Sequence, residues 1–198
     1  MDLIFATHNA HKVVECNFEL SHIPNLIVRS LTEVNILEEI PETQPTIEGN
    51  AIQKAEFIFD KYGYNCFADD SGLEIVAIND EPGVHSAYYG GEERSHKKNI
   101  DLVLQKMKHK INRTAQFRTT IALILNGELH VFEGICKGKI LYEPIGTNGF
   151  GYDPIFQPDG FTKSFAELTD AEKNAISHRG IATRKLIAFI QIYANQIS

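Results

Sequence analysis

LIFATHNAHKVVECNFEL (residues 3–20) carries the pattern that decides the fold. The apolar run from Leu3 to Ala6 predicts a short buried strand, and Thr7 to Asn9 predict a turn. From Ala10 to Leu20, apolar residues recur at helical spacing; they are Val13, Val14, Phe18 and Leu20. The chain is therefore expected to begin with a strand, a turn and a helix.

The rest of the chain continues this mixed pattern. Further helices are predicted from about Asn50 to Tyr62, over 95–108, from the capping box Thr169–Glu172, and after Ser177. Further strands are predicted over Ile27–Leu31, Cys66–Ala68, Leu73–Ile78, Phe117–Leu125 and Leu129–Ile140, with Asn126-Gly127 as a hairpin signal between the last two. Residues 38–50 and 146–154 are predicted loops. This mixture predicts an α/β fold with a mixed twisted sheet, flanking helices, and two lobes around a central cleft, as one domain over residues 1–198.

Composition disfavours some classes of function. The chain has 198 residues, a net charge of −7 and a pI of about 5.6, which disfavours binding to a nucleic-acid backbone. Three separated cysteines, Cys16, Cys66 and Cys136, predict buried thiols in a reducing compartment. The N-terminus does not resemble a signal peptide, and no apolar stretch approaches the ~18 residues of a membrane span. A cytoplasmic protein without membrane or nucleic-acid partners is expected.

The turn from Thr7 to Lys12 is a candidate phosphate site. Backbone N–H groups at a helix start favour an anion, and Lys12 adds positive charge. The alternative is ordinary N-capping by Thr7 or Asn9, with Lys12 on a solvated face. The stretch is not a Walker loop, because GxxxxGK[ST] is absent.

The run Asp69-Asp70-Ser71-Gly72 follows a predicted strand and is a candidate magnesium site. Adjacent strand residues point to opposite faces, so one of the two carboxylates is expected to face the cleft. The alternative is ordinary turn chemistry. Glu42 within the acidic stretch 38–42 offers another carboxylate, although that stretch and Lys54 are also typical of solvated positions.

The C-terminal half contains a candidate base site. Phe150 lies between glycines and can present its ring for stacking, while Lys173, His178 and Arg179 lie at predicted helix ends. The alternative is a tight turn followed by ordinary helix-end charges.

Taken together, these stretches resemble the inosine triphosphate pyrophosphatase family, also described as XTP/dITP diphosphatases. The resemblance rests on ATHNAHKVVE, EGNAIQKAEF, FADDSGLEI, PGVHSA, GTNGFGYDPIFQPDG and SFAELTDAEKNAISHRG, which occur in family order along almost the whole chain. It implies a two-lobed α/β fold, a homodimer, and a nucleotide in the central cleft. The implied reaction converts ITP, dITP or XTP to the nucleoside monophosphate and pyrophosphate.

The resemblance also implies residue roles. Asp70 matches the proton acceptor, and Glu42 and Asp70 match the ligands of Mg²⁺. The implied substrate-binding residues are Thr7, His8, Asn9, Ala10, His11, Lys12, Lys54, Ser71, Phe150, Gly151, Tyr152, Asp153, Lys173, His178 and Arg179. Two positions depart from the family pattern: His8 replaces a small residue, and Tyr88 replaces a cation for which Arg94 is a candidate substitute.

The expected chemistry is attack of water on the α-phosphorus, with Lys12 and Lys54 stabilising the leaving pyrophosphate. Donors from His178 and Arg179 are expected to favour a 6-oxo purine over adenine. Three alternatives remain open at this point: a pyrophosphatase for pyrimidine or modified nucleotides, a nucleotide-binding regulator without turnover, and a nucleic-acid-binding protein.

Overall fold

A computed structural model describes residues 1–196, with the side chains of 17, 18, 195 and 196 outside the description. Phe18, predicted to lie on the apolar face of the first helix, therefore falls outside the described side chains. The described residues form five α-helices: α1 (Ala10–Leu20), α2 (Ile47–Tyr62), α3 (His96–Met107), α4 (Asp170–Ile176) and α5 (His178–Gln196). They form seven strands: β1 (Asp2–Phe5), β2 (Ile27–Ser30), β3 (Cys66–Ile75), β4 (Glu81–Pro82), β5 (Thr114–Leu125), β6 (Glu128–Ile140) and β7 (Phe156–Pro158).

The strands belong to a mixed sheet. Its hydrogen-bonded order is β2-β1-β3-β5-β6-β7, and β4 pairs with β3. The β1–β2 and β1–β3 pairs are parallel, whereas β3–β4 and β6–β7 are antiparallel. The described residues divide into two compact units: unit 1 contains 1–70, 119–134 and 179–196, and unit 2 contains 71–118 and 135–178.

Unit 1 buries apolar side chains on both faces of its strands. One face contains Leu3, Phe5 and Phe67 with residues of α1 and α5, and the Phe5 and Phe67 rings stack with centroids 4.4 Å apart. Ile4 and Ala68 lie on the opposite face with residues of α2. This split follows from the alternation of side chains along a strand. Strands buried on both faces are expected to read as continuous apolar runs, as Leu3–Ala6 does.

Unit 2 has its own core around aromatic rings. Phe117 on β5 packs edge-on against Phe156 at 4.7 Å and stacks with Phe165 at 5.9 Å. Val103 and Met107 on α3 belong to the same buried cluster. The core therefore joins the start of β5 to β7 and to the segment before α4.

Most predicted elements are confirmed, and so is the α/β class with a mixed sheet. Ser95 caps α3, and Thr169 with Glu172 forms the predicted capping box of α4. Asn126 and Gly127 take positive φ angles of 52° and 84° in the predicted β5–β6 hairpin. The three cysteines are buried free thiols, as predicted. No helix among the described residues is long and apolar enough to cross a membrane.

Three details were wrong. The predicted break between the strands Cys66–Ala68 and Leu73–Ile78 is absent, because one continuous strand runs over Cys66–Ile75, and the alternative of an ordinary turn at Asp69–Gly72 is thereby excluded. Asp and Gly are unfavourable in strands, but burial and ionic contacts of this segment override that preference. Helix α2 begins at Ile47 rather than Asn50, where the Thr46 side chain accepts a hydrogen bond from the Gly49 N–H. Residues 76–78 form a 3₁₀ turn rather than the end of a strand. The short strands β4 and β7 were not predicted.

Candidate active site

The Thr7–Lys12 segment forms a capped helix start in unit 1. The Asn9 side-chain oxygen accepts hydrogen bonds from the N–H groups of His11 (3.0 Å) and Lys12 (3.3 Å), and Thr7 Oγ1 accepts from the Asn9 N–H at 3.2 Å. The predicted capping is therefore present. His8 is exposed, and its Nε2 contacts the Glu38 carbonyl oxygen at 2.9 Å. Ala10 begins α1, and His8 through His11 are exposed, so this helix start is accessible to an anion.

Lys12 does not point into solvent from this helix. Its ammonium lies 2.9 Å from Asp69 Oδ1 and 3.3 Å from the Asp69 carbonyl oxygen. Arg179 Nε lies 3.2 Å from the other Asp69 carboxylate oxygen, and Arg179 Nη1 also pairs with Glu15. Burial alone would raise the pKa of Asp69, but Lys12 and Arg179 outweigh it and hold that pKa well below its ordinary value. Asp69 is therefore ionised, whereas burial lowers the pKa of the Lys12 ammonium against the opposing effect of Asp69.

Asp70 belongs to a second ionic group in unit 1. Its Oδ1 lies 3.5 Å from the Lys54 ammonium, and its Oδ2 accepts from Asn50 Nδ2 at 3.3 Å. Lys54 also contacts Glu42 Oε1 at 2.6 Å. Burial raises the pKa of Asp70, against the opposing effect of Lys54 and Lys12. Burial would lower the pKa of Lys54, but Asp70 and Glu42 together raise it.

Glu42 and Asp70 of this second group are the residues that would hold a divalent cation. Glu42 and Asp70 both approach the Lys54 ammonium, so two hard oxygen donors already converge on one positive charge. Among the described residues, no group of three or more His, Cys, Asp and Glu side chains could hold a metal ion unaided. Mg²⁺ is commonly bound by one or two carboxylates together with substrate phosphates. The pair therefore fits an ion that arrives with a phosphate ligand.

The glycine-rich turn lies in unit 2 and surrounds Phe150. Gly149 and Gly151 take positive φ angles of 73° and 62°, which glycine adopts without strain. Asp153 Oδ2 accepts a hydrogen bond from the Phe150 N–H and a charged one from Lys173 Nζ, both at 2.8 Å. The Lys173 ammonium lies 4.9 Å from the centre of the Phe150 ring. Asp153 and Lys173 thus fix the turn that presents this ring.

His178 is also in unit 2. Its imidazole stacks on the Phe117 ring, with centroids 4.6 Å apart and an interplanar angle of 9°. Tyr152 is buried and donates its hydroxyl to the Ser86 carbonyl oxygen at 2.8 Å, which makes it a packing residue of this segment. Ser71 is half-buried on β3. A stacked imidazole has a defined plane, which suits a directional hydrogen bond to a ligand.

The predicted residues therefore separate into two sets. Unit 1 brings together Lys12 and Arg179 around Asp69, and Lys54 with Glu42 around Asp70. Unit 2 brings together Phe150, Asp153 and Lys173, with His178 stacked on its core. The Tyr88 hydroxyl is hydrogen-bonded to His85 Nδ1 at 2.9 Å. Arg94 lies in the same unit with a φ of 53°.

Sequence reasoning missed four residues that support these sets. Glu15 pairs with Arg179, Asn50 with Asp70, and Phe117 with His178; His96 Nδ1 accepts from the Gly151 N–H at 3.3 Å. Helical spacing could have revealed two of them. Glu15 lies three residues after Lys12, and Asn50 four residues before Lys54, so each shares a helix face with a predicted lysine.

Comparison with known proteins gives one consistent answer. The model of the Ham1 family matches residues 3–189. A "dITP/XTP pyrophosphatase" of Flavobacterium psychrophilum is 50% identical over 192 residues, which are 96% of this chain and 100% of that protein. One of Flavobacterium johnsoniae is 50% identical over 187 residues, 94% of this chain and 96% of that protein. A Ham1 protein structure from Staphylococcus aureus superposes with a TM-score of 0.89 at 36% identity, covering 96% of this chain and 98% of that one.

Proposed function

The chain belongs to the Ham1 family, and we propose that it hydrolyses deaminated purine nucleoside triphosphates to the nucleoside monophosphate and pyrophosphate. The resemblance inferred from the sequence motifs is thereby confirmed. Its relatives carry the name dITP/XTP pyrophosphatase over nearly the full length of this chain. The structural observation that carries the proposal is the convergence of Glu42 and Asp70 on Lys54, which fits an ion and the phosphates that bring it.

Residues of unit 1 would hold the triphosphate. The exposed start of α1 and the ammonium groups of Lys12 and Lys54 offer positive charge to phosphate oxygens. Glu42 and Asp70 would hold Mg²⁺. When bound, the ion would neutralise phosphate oxygens and polarise the attacking water.

The chemical step requires a proton acceptor and stabilisation of the leaving group. Asp70, whose carboxylate is oriented by Asn50 and Lys54, is the proposed acceptor of the water proton as water attacks the α-phosphorus. The bond between the α-phosphorus and its bridging oxygen then breaks, and the electron pair leaves with pyrophosphate. Lys54 would balance the charge that develops on this leaving group.

Residues of unit 2 would receive the base. The Phe150 ring, fixed through Asp153 and Lys173, offers a stacking surface. The imidazole of His178 offers a donor to the 6-oxo group of hypoxanthine or xanthine, whereas the 6-amino group of adenine would leave that donor without an acceptor. The predicted contact of Arg179 with the base remains a prediction. Two of its nitrogens face Asp69 and Glu15.

The proposal also includes the cellular location and the oligomeric state of the protein. We expect a cytoplasmic homodimer that removes deaminated nucleotides from the nucleotide pool. Light scattering coupled to gel filtration tests the dimer. A monomer at assay concentration would exclude the proposed dimer without affecting the proposed reaction.

Product analysis in ¹⁸O-labelled water tests the reaction itself. Attack at the α-phosphorus places the label in inosine monophosphate and releases unlabelled pyrophosphate. Label in the pyrophosphate, or release of inorganic phosphate from ITP, would contradict the proposal. Repeating the assay with a chelator and then with added Mg²⁺ tests the ion: turnover should be lost and restored.

A further inference from the structure

The two adjacent carboxylates of β3 have different surroundings. Because strand side chains alternate, Asp69 shares its direction with Phe67, and Asp70 with Ala68. Phe67 belongs to the cluster that includes residues of α1 and α5, whereas Ala68 belongs to the cluster that includes residues of α2. Asp69 accordingly meets Lys12 of α1 and Arg179 of α5.

Asp69 belongs to a series of three ion pairs: Lys12 with Asp69, Asp69 with Arg179, and Arg179 with Glu15. The side chain of Asp69 is fully buried, and those of Lys12 and Arg179 are 12% and 3% exposed. At the far end, Glu15 holds Arg179 independently of Asp69. A buried ammonium is costly to desolvate unless a carboxylate lies close to it. Asp69 supplies that carboxylate, and its carbonyl oxygen supplies a second contact to the same ammonium.

Lysine side chains are flexible, and a phosphate site benefits from an ammonium that is already in place. Lys12 is held by two atoms of one residue, and that residue is itself held by Arg179. The carboxylate oxygens of Asp69 thus both face cations of the protein. The carboxylate oxygens of Asp70 instead contact Lys54 and Asn50. Glu42 contacts the same Lys54 ammonium.

We propose that Asp69 is a positioning residue that holds Lys12 for phosphate binding, while Asp70 alone of this pair serves the metal ion. The inference rests on the proposed function in that Lys12 contacts phosphate. The two neighbouring aspartates therefore have different roles. Asp69 orients a cation of the protein, and Asp70 works at the reacting centre with Glu42.

A double-mutant cycle on Lys12 and Asp69 tests this assignment. The variants are Lys12→Met, Asp69→Asn and the double variant, with binding of inorganic pyrophosphate measured by calorimetry in Mg²⁺. Lys12→Met should weaken binding about tenfold, the scale of a charged hydrogen bond. Asp69→Asn should weaken binding in the wild-type background, and should have no further effect in the Lys12→Met background. An additional loss in the double variant would overturn the proposal, and so would Lys12→Met binding as tightly as wild type.

Kinetics with dITP supply the readout that a purely structural role would not move. Asp69→Asn should raise KM more than it lowers kcat, and should leave the Mg²⁺ concentration for half-maximal rate within about twofold of wild type. A shift in Mg²⁺ dependence like that of Asp70→Asn would overturn the proposal. Asp101→Asn removes an exposed carboxylate paired with Lys97 at 2.6 Å, and controls for the change in charge.

A variant that does not fold and a failure of the proposed function give different results in these experiments. If Asp69→Asn does not fold, a weaker binding of pyrophosphate by the double variant than by Lys12→Met still overturns the proposal, because both ends of the Lys12–Asp69 pair are neutral in the double variant. If the wild type releases no pyrophosphate from dITP, the proposed function fails. The calorimetric cycle with pyrophosphate then still accepts or rejects the positioning role.

Discussion

Replacing Asp153 by Asn is expected to destabilise unit 2 strongly. The Lys173 ammonium lies 2.8 Å from Asp153 Oδ2, and the two side chains are only 5% and 4% exposed. Removing one partner of a buried pair costs about 3–5 kcal/mol, because the other charge is left buried without compensation. Asn keeps a side-chain oxygen that can accept hydrogen bonds, so a value near about 3 kcal/mol is expected.

Thermal unfolding converts this value into a measurable shift. For a chain of this size, 1 kcal/mol corresponds to about 2–4 °C in Tm, so Asp153→Asn should lower Tm by roughly 6–12 °C. Asp101→Asn is the matched control, because its partner Lys97 and Asp101 itself are 85% and 57% exposed. An exposed pair within a helix contributes about 0.3–0.5 kcal/mol, so that control should shift Tm by no more than about 2 °C.

The double variant Asp153→Asn with Lys173→Met completes the test. It contains neither buried charge, so its loss of stability should be smaller than the sum of the two single losses. Folded Asp153→Asn should also raise KM for dITP, since Asp153 accepts the Phe150 N–H and anchors the lysine over its ring. A Tm shift for Asp153→Asn as small as that of Asp101→Asn would refute the reasoning.

Three further predictions concern the other sites. Asp70→Asn should abolish turnover with a smaller effect on nucleotide binding; steady-state kinetics with a binding assay check this, and turnover within a few-fold of wild type would remove its assigned role. Glu42→Gln should raise the Mg²⁺ concentration needed for half-maximal rate, and an unchanged Mg²⁺ titration would exclude it as a ligand. Hydrogen bonds from the Thr169 N–H and hydroxyl lower the pKa of Glu172 from its ordinary 4.5. The stabilisation that ionised Glu172 gives to the folded state is therefore fully present above its ordinary pKa. It disappears as pH falls through the lower pKa that Glu172 has in the folded protein. The difference in Tm between wild type and Glu172→Gln should shrink in that acid range, and a constant difference would contradict this.

Periodicity in the sequence identifies features that depend on neighbouring residues. The strand–turn–helix at Thr7–Lys12 and the hairpin at Asn126-Gly127 are examples, because apolar spacing and turn residues specify them locally. The Asp69–Gly72 segment could not be predicted in this way. Its residues favour a turn by themselves, and the contacts that make it a strand come from distant parts of the chain.

The candidate site shows the same limit. Motif resemblance identifies Lys12 and Arg179, but it does not show that both pair with Asp69, which is 110 residues from Arg179 in the chain. The stacking of His178 on Phe117 is likewise a consequence of tertiary packing. Local spacing specifies which residues begin a helix or lie on one face. Which charges neutralise one another is decided by the fold.

The ratio of kcat/KM for dITP to that for dATP, with pyrophosphate as the detected product, is the most direct test of the proposed function. A site with a buried donor for a 6-oxo group should disfavour the 6-amino purine by about 10⁴ or more. The proposal predicts Mg²⁺-dependent release of pyrophosphate from dITP with a ratio of that order. Equal kcat/KM for dITP and dATP would contradict the selectivity, and no pyrophosphate from dITP would contradict the reaction itself.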